Sequence, residues 1–170
     1  MIIRRKLISI IVFILCSISA EAYDFKAEGY YFSIIEGANE VYIYPGHAAR
    51  QKSYSGDITI PETVNDNGVV YTVVGIGSYA FSNSSITSIS MPNTIRFIDD
   101  CAFLSCSSLT SLELPNKLES IGEYIISNTA ITHIKIPNSV TKIANYAFAA
   151  YSFGLSPCRL ESIDLSELSS

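Results

Sequence analysis

Two histidines, His47 and His133, a carboxylate pair at Asp99-Asp100 and many serines are the side chains that could move protons or attack a carbonyl. A hydrolytic serine needs a base within hydrogen-bond reach and a turn that presents it. No serine here lies in a G-x-S-x-G elbow. The histidines fall in unlike regions, without the H-x-x-x-H spacing that sets two imidazoles on one helix face. Asp99-Asp100 occupies a place that Gly122-Glu123 takes 23 residues later, so it reads as an exposed turn rather than an acid pair. Cys101, Cys106 and Cys158 follow neither C-x-x-C nor metal-ligand spacing. With Cys16 set aside as part of the apolar N-terminal leader, these three of the four cysteines leave one thiol unpaired or intermolecular. Cys106 is read as a small buried hydrophobe, with a Cys106–Cys158 disulfide as the alternative. No cofactor and no metal is expected, and the chain is not read as an enzyme.

The spacing that carries information is apolar. Ile76, Ile98, Ile121 and Ile143 follow one another at 22, 23 and 22 residues, and Pro92, Pro115 and Pro137 keep steps of 23 and 22. A fixed period in this range marks a stack of structural repeats. Between Phe103 and Leu109 lie five residues, against four between Phe81 and Ile86 and between Ile126 and Ile131. The extra residue thus falls in a polar turn, and the apolar positions on either side keep their order. Within LTSLELP, Leu109, Leu112 and Leu114 form L-x-x-L-x-L, a strand with Leu112 and Leu114 inward and Ser111 and Glu113 outward. Proline ends that strand because it has no N–H for the next ladder position. Ala80-Phe81, Ala102-Phe103 and Ala147-Phe148, with Ile125-Ile126 in the third copy, fill the turn of each unit. Asn83 and Asn128 are read as standing where Cys106 stands in the longer copy.

The ends differ from the repeats. MIIRRK followed by the apolar Leu7–Ser19 and the small-x-small site Ala20-Glu21-Ala22 reads as a signal peptide over residues 1–22. Thirteen apolar-rich residues are short for a membrane span of about 20. Removing Arg4, Arg5, Lys6 and Glu21 from 11 basic and 16 acidic residues leaves 8 and 15, a formal charge of −7. No basic stripe survives, which argues against a nucleic-acid partner. Tyr30–Ile35 and Val41–Tyr44, joined by EGANE, read as a β-hairpin within a cap region over 23–56 that covers the first repeat. HAARQKSYSG is a polar loop. The repeat region then spans 57–170, with a long leading unit whose Pro61 precedes Pro92 by 31 residues. Asn65-Asp66-Asn67-Gly68 between two alternating runs is a hairpin turn inside it. The expected fold is a β-rich solenoid, a leucine-rich repeat stack of short strands with an N-terminal β-hairpin cap.

The pattern IGxxAFxxCxxLxxLxLPxxLxxI over Asp57 to about Ser166 resembles the BspA-like leucine-rich repeats of secreted and surface proteins of mouth and gut bacteria. The opening YDF and YYFSI resemble the lead-in of that family. Ile125-Ile126 for AF, cysteine in one regular copy and an interrupted last repeat are departures. The resemblance implies an extracellular protein-binding array, with adhesion to host matrix proteins in some members, and no catalytic residues.

The strand register supplies the candidate ligand face: Ser88 and Ser90, Ser111 and Glu113, His133 and Lys135, then Ser162 and Asp164. Stacked about 4.8 Å apart, these positions would form one polar strip. In the last repeat, a step of twelve positions from Phe148 to Leu160 replaces one of about six, bringing Tyr151 and Phe153 into a loop. That loop reads either as a binding insertion or as a cover for the end of the stack. The reading for the whole chain is a secreted or cell-surface protein that binds an extracellular protein of a host or neighbouring cell. The alternatives are an inert spacer and a glycan-binding module acting through Tyr151 and Phe153.

Overall fold

The computed structural model describes residues 23–45, 54–150 and 159–166, and among them no helix occurs. None of the described residues forms a helix long and apolar enough to cross a membrane. The signal-like segment 1–22, His47, Tyr151, Phe153 and Cys158 lie outside the described residues.

Three strands open the fold: β1 (Phe25–Ala27), β2 (Tyr30–Ile34) and β3 (Glu40–Tyr44). β2 and β3 pair antiparallel with Phe32 opposite Ile43, the hairpin read from the two aromatic and β-branched runs. Next come β4 (Ser55–Thr59), β5 (Thr63–Asp66) and β6 (Val69–Ile76). β5 and β6 pair antiparallel around Asn67 and Gly68, whose φ values of 51° and 85° suit the two left-handed positions of a tight hairpin turn. β4 begins at Ser55, two residues inside the segment read from sequence as loop. The register slips between Gly56, at φ 72°, and Asp57: Ser55 stands opposite Ser85 and Asp57 opposite Ser88, which leaves Thr87 as the bulged extra residue of the partner strand.

The later copies contribute β7 (Ser85–Ser90), β8 (Phe97–Ile98), β9 (Ser120–Ile121), β10 (His133–Lys135), β11 (Lys142–Ile143) and β12 (Ser162–Asp164). The main sheet runs β1-β2-β3-β6-β8-β9-β11, parallel from β3 onward, with β5 beside β6. Its register places Ile43, Ile76, Ile98, Ile121 and Ile143 directly beside one another in sequence order. The isoleucine period is therefore a physical column. The first four of these five side chains are essentially inaccessible to solvent, and Ile143 is exposed.

A second set of hydrogen bonds runs parallel to this one through the turns. Phe81 N–H donates to Ala102 O, Phe103 N–H to Ile125 O, and Ile125 N–H to Ala147 O. Phe81 and Phe103 stack at 5.7 Å with planes 4° apart, and Phe81 in turn meets Tyr54 and Tyr30 edge-on. Each unit turns after its proline by the same bond: Ile95 to Pro92, Leu118 to Pro115, Val140 to Pro137. Two turn positions per copy adopt left-handed backbone: Tyr79, Cys101, Tyr124 and Tyr146 at one, Asn83, Ser105 and Asn128 at the other.

The second column corrects the alignment of the turn. Asn83 and Asn128 match Ser105, with Asn128 Nδ2 donating to Ser105 Oγ at 3.2 Å, and not Cys106. The partners of Cys106 are the buried Ser84 and Thr129. Asparagine tolerates the left-handed region better than other non-glycine residues, which accounts for its place there. The additional residue of the longer copy falls at Ser107-Ser108, both exposed.

Candidate functional site

All eight residues of the candidate face are exposed. Their strands hold them outward because Ile86, Ile89, Leu109, Leu112, Ile131 and Ile134 alternate inward into the core. The face is not one sheet, however. β7 pairs with β4, and β10 pairs with β12, as two separate two-stranded parallel sheets. The rung between them, residues 109–114, keeps its inward leucines, Leu109 at 0% and Leu112 at 5% exposed. Its backbone from 110 to 114 joins neither neighbour. The continuous strip expected from the period is thus interrupted at its centre. A one-residue insertion ahead of a strand shifts its register unless something absorbs it. Here the apolar side chains hold their places and the main-chain pairing is what is lost.

Two concavities flank that rung. One, of about 560 Å³, is lined by Ser111, Glu113, His133, Lys135, Ser162 and Asp164, six of the eight candidates, over Leu112, Leu114 and Ile134. The other, of about 280 Å³, lies on the β7 side and includes Ser90, Glu113 and Asn116. Glu113 and Leu114 are walls of both. Ser88 is drawn away from either, because its hydroxyl donates to Asp57 at 2.7 Å, as does that of Thr87. Those two bonds hold the exposed Asp57 carboxyl below its ordinary pKa. Asp57 belongs to this face and was not singled out from sequence. Its place in the first rung, opposite Ser88, could have been read from the match between DITIP and the later strand-then-proline segments.

On the other side, His133 stands opposite Ser162 and Lys135 opposite Asp164. His133 Nδ1 lies 2.7 Å from Thr132 Oγ1 rather than against a carboxylate. Asp164 is held below its ordinary pKa first by the backbone N–H of Ser166 at 2.8 Å and its hydroxyl, then by the charge of Lys135. Asp99 departs the other way. Partial burial, and next the charge of Asp100, raise its carboxyl pKa. It sits at a turn, where Asp100 Oδ1 accepts the Glu123 N–H at 2.7 Å and thereby ties two copies together. Among the described residues, no three His, Cys, Asp or Glu side chains converge as a metal-ligand set.

The buried thiols are also explained by packing. Cys106 Sγ–H donates to Phe81 O at 3.0 Å, and burial pushes its pKa up to about 12. Cys101 is 2% exposed, and burial raises its pKa as well. Both are free thiols; Cys158, the alternative partner read from sequence, lies outside the described residues. Because the thiolate is the reactive form, a Cys16→Ser/Cys158→Ser variant is expected to take up no thiol reagent at pH 8 while folded. Two equivalents should appear on denaturation, as read by absorbance titration.

A family model described as "BspA type Leucine rich repeat region" matches residues 74–168 in 6 copies. No curated protein sequence matches the chain. Among solved structures, a leucine-rich repeat protein from Bacteroides capillosus is similar at 26% identity and a TM-score of 0.63, covering 82% of this chain and 96% of that one. A leucine-rich repeat protein from Bacteroides ovatus is 25% identical with a TM-score of 0.55, covering 84% of this chain and 41% of its own length. A Treponema pallidum leucine-rich repeat protein shares the fold at 20% identity and a TM-score of 0.52, with 74% of this chain and 66% of that one covered.

Proposed function

Because the chain belongs to the BspA-type leucine-rich repeat family, we propose that it is a secreted or cell-surface solenoid that binds an extracellular protein through the face around Glu113, His133 and Lys135. In this reading residues 1–22 are a cleaved export signal, 23–56 a cap and 57–170 the repeat array. The parallel pairing of β3 with β6 supports the cap, since it supplies the first repeat with a neighbouring strand. Family membership supports adhesion to a host or neighbouring-cell protein, and the signal-like segment 1–22 supports export.

The single observation that carries the binding reading is the convergence of six outward residues from three copies on one concavity. These residues are not adjacent in sequence, and only stacking brings them together. They present hydroxyl, imidazole, ammonium and carboxylate groups above an apolar floor, the usual make-up of a recognition site.

The test is a Glu113→Ala/His133→Ala/Lys135→Ala variant, assayed for adhesion to immobilised host matrix protein and for thermal unfolding. Adhesion is expected to fall by about tenfold or more, as when central contacts are truncated. The melting temperature should stay within a degree or two, because surface substitutions rarely exceed about 0.5 kcal/mol. Unchanged adhesion would point to an inert spacer. Binding to a glycan array with the face variant intact would move recognition to the Tyr151 and Phe153 segment.

A further inference from the structure

The main sheet carries a row of aromatic rings on the side away from the core. Phe32, Val41 and Ile43 turn inward, so the alternating positions Tyr31, Tyr42 and Tyr44 turn outward. Tyr31 stands opposite Tyr44 across β2 and β3. Between ring centroids, Tyr23 meets Tyr31 at 4.6 Å, Tyr42 meets Tyr44 at 6.4 Å, and Tyr42 meets Phe97 of β8 at 5.9 Å. All five are half-buried, so each keeps some surface open to solvent.

Two of these rings have a structural reason. A Cβ on Gly77 would meet the Tyr42 ring at 2.9 Å, and one on Gly75 would fall on the Phe97 ring. Both rings therefore lean across the sheet over bare backbone, as aromatics do beside strand glycines. That reason does not extend to Tyr23, Tyr31 and Tyr44.

The chemistry of the row selects an occupant. Its neighbouring charges are already matched: Arg96 Nη2 pairs with Glu40, and Lys26 Nζ lies 4.9 Å over the Tyr31 ring. An uncharged ligand is therefore favoured. Four of the five rings end in a phenol, which both donates and accepts hydrogen bonds. The fitting ligand thus has flat C–H patches for the rings and hydroxyls at its rim. A pyranose with equatorial hydroxyls has this make-up, since its axial C–H groups form an apolar patch on each ring face. A proline-rich segment has flat rings but only acceptors on its prolines, and so uses only the donor side of each phenol. Neighbouring rings in the row are tilted by 56° to 59°. A tilted row suits one chain that twists from unit to unit, and not the flat face of a crystalline polysaccharide.

We propose that Tyr23, Tyr31, Tyr44, Tyr42 and Phe97 form a binding row for a single neutral β-1,4-linked glycan chain, its sugar faces stacked on the rings. The row lies on a different sheet from the Glu113 concavity and does not depend on the protein-binding reading of that face.

Cellohexaose and xylohexaose are titrated into the full chain by calorimetry, with maltohexaose and a capped decaproline as comparisons. Saturable binding of at least one β-1,4 hexaose is expected below about 1 mM. Maltohexaose and decaproline should bind about tenfold more weakly or worse. In the unaltered protein, the aromatic proton resonances of Tyr31, Tyr42 and Tyr44 should shift as the hexaose is added, a readout that needs no variant to fold. A Tyr31→Ala/Tyr44→Ala variant, in which neither lost ring covers a glycine, should bind about tenfold more weakly or worse. Tyr151→Ala/Phe153→Ala and Glu113→Ala/His133→Ala/Lys135→Ala variants should keep the parent affinity. Failure of both β-1,4 hexaoses to bind overturns the proposal. So does equal or tighter binding of maltohexaose or decaproline, the latter assigning the row to proline-rich segments. Hexaose binding without shifts at Tyr31, Tyr42 and Tyr44, or with full affinity in the Tyr31→Ala/Tyr44→Ala variant, places the glycan elsewhere and overturns it as well.

Discussion

Phe103→Ala is expected to lower the free energy of unfolding by about 3–5 kcal/mol, the range for truncating a fully buried phenylalanine. Phe103 is 0% exposed and stacks on Phe81, which carries the contact on to Tyr54 and Tyr30. Its loss opens a void in the middle of a column, with repeats on both sides that cannot both close over it. The backbone at this point is also fixed, by Phe103 N–H to Ile125 O at 3.0 Å and Phe81 N–H to Ala102 O at 2.9 Å. Collapse into the void is therefore restricted. Set against a total stability of about 5–15 kcal/mol for a domain, the loss removes a large share. Urea unfolding followed by circular dichroism measures it directly. A midpoint change equivalent to less than about 1 kcal/mol would mean that the turn side chains do not form a shared core. Phe103→Ile should be much milder, since Ile126 fills the same place in the next copy and is 1% exposed.

Gly122→Val tests the spacing between copies. A Cβ on Gly122 would lie 2.5 Å from Asp100 N and 2.6 Å from the Asp99 carbonyl carbon, closer than real contacts permit. The obstacle is backbone, which cannot swing aside as a side-chain tip would. The same peptide holds Gly122 N–H on Ile98 O at 2.8 Å and Glu123 N–H on Asp100 Oδ1. Overpacking of this kind costs about 1–3 kcal/mol and sometimes more. Here it would push apart two rungs that are joined by short bonds. Thermal unfolding is expected to move down by several degrees, and Gly77→Val should behave alike because its Cβ would meet Ile43 O at 2.7 Å. A Gly122→Val protein as stable as the parent would show that the copies are not held at this distance.

Much of this arrangement was legible in the chain. The isoleucine period translated into an in-register column because Ile76, Ile98 and Ile121 each need burial at the same place in their copies, while Ile143 at the far end is 43% exposed. The Asn67-Gly68 turn followed from the residues that tolerate left-handed backbone. Other features left weaker traces. Tyr79, Tyr124 and Tyr146 sit at positive φ, with Tyr124 and Tyr146 rings stacked 5.7 Å apart and 2° from parallel. A bulky aromatic gives no signal for that conformation, since glycine and asparagine are the residues expected there. It becomes visible only once the copies are superposed. Asn83 and Asn128 did carry a signal, but it was assigned to the neighbouring cysteine position. The one-residue difference in length allows either alignment until the hydrogen bonds choose. The break in the face was the least accessible. L-x-x-L-x-L in residues 109–114 is as regular as in its neighbours, and side-chain pattern alone does not report main-chain pairing. The insertion at Ser107-Ser108 was seen, while its effect on the following rung belongs to backbone geometry.

The central claim is that one side of the stack is a closed hydrogen-bonded ladder and the other is interrupted at residues 110–114. Native-state amide hydrogen exchange reads both at once. The amides of Asp99, Gly122 and Ala144, bonded to Ile76, Ile98 and Ile121, are expected to exchange slowly, near the global unfolding limit. The amides of Ser111 and Glu113 should exchange orders of magnitude faster although they lie between buried leucines. Equal protection at Ser111, Glu113 and Gly122 would show an unbroken sheet and contradict the account.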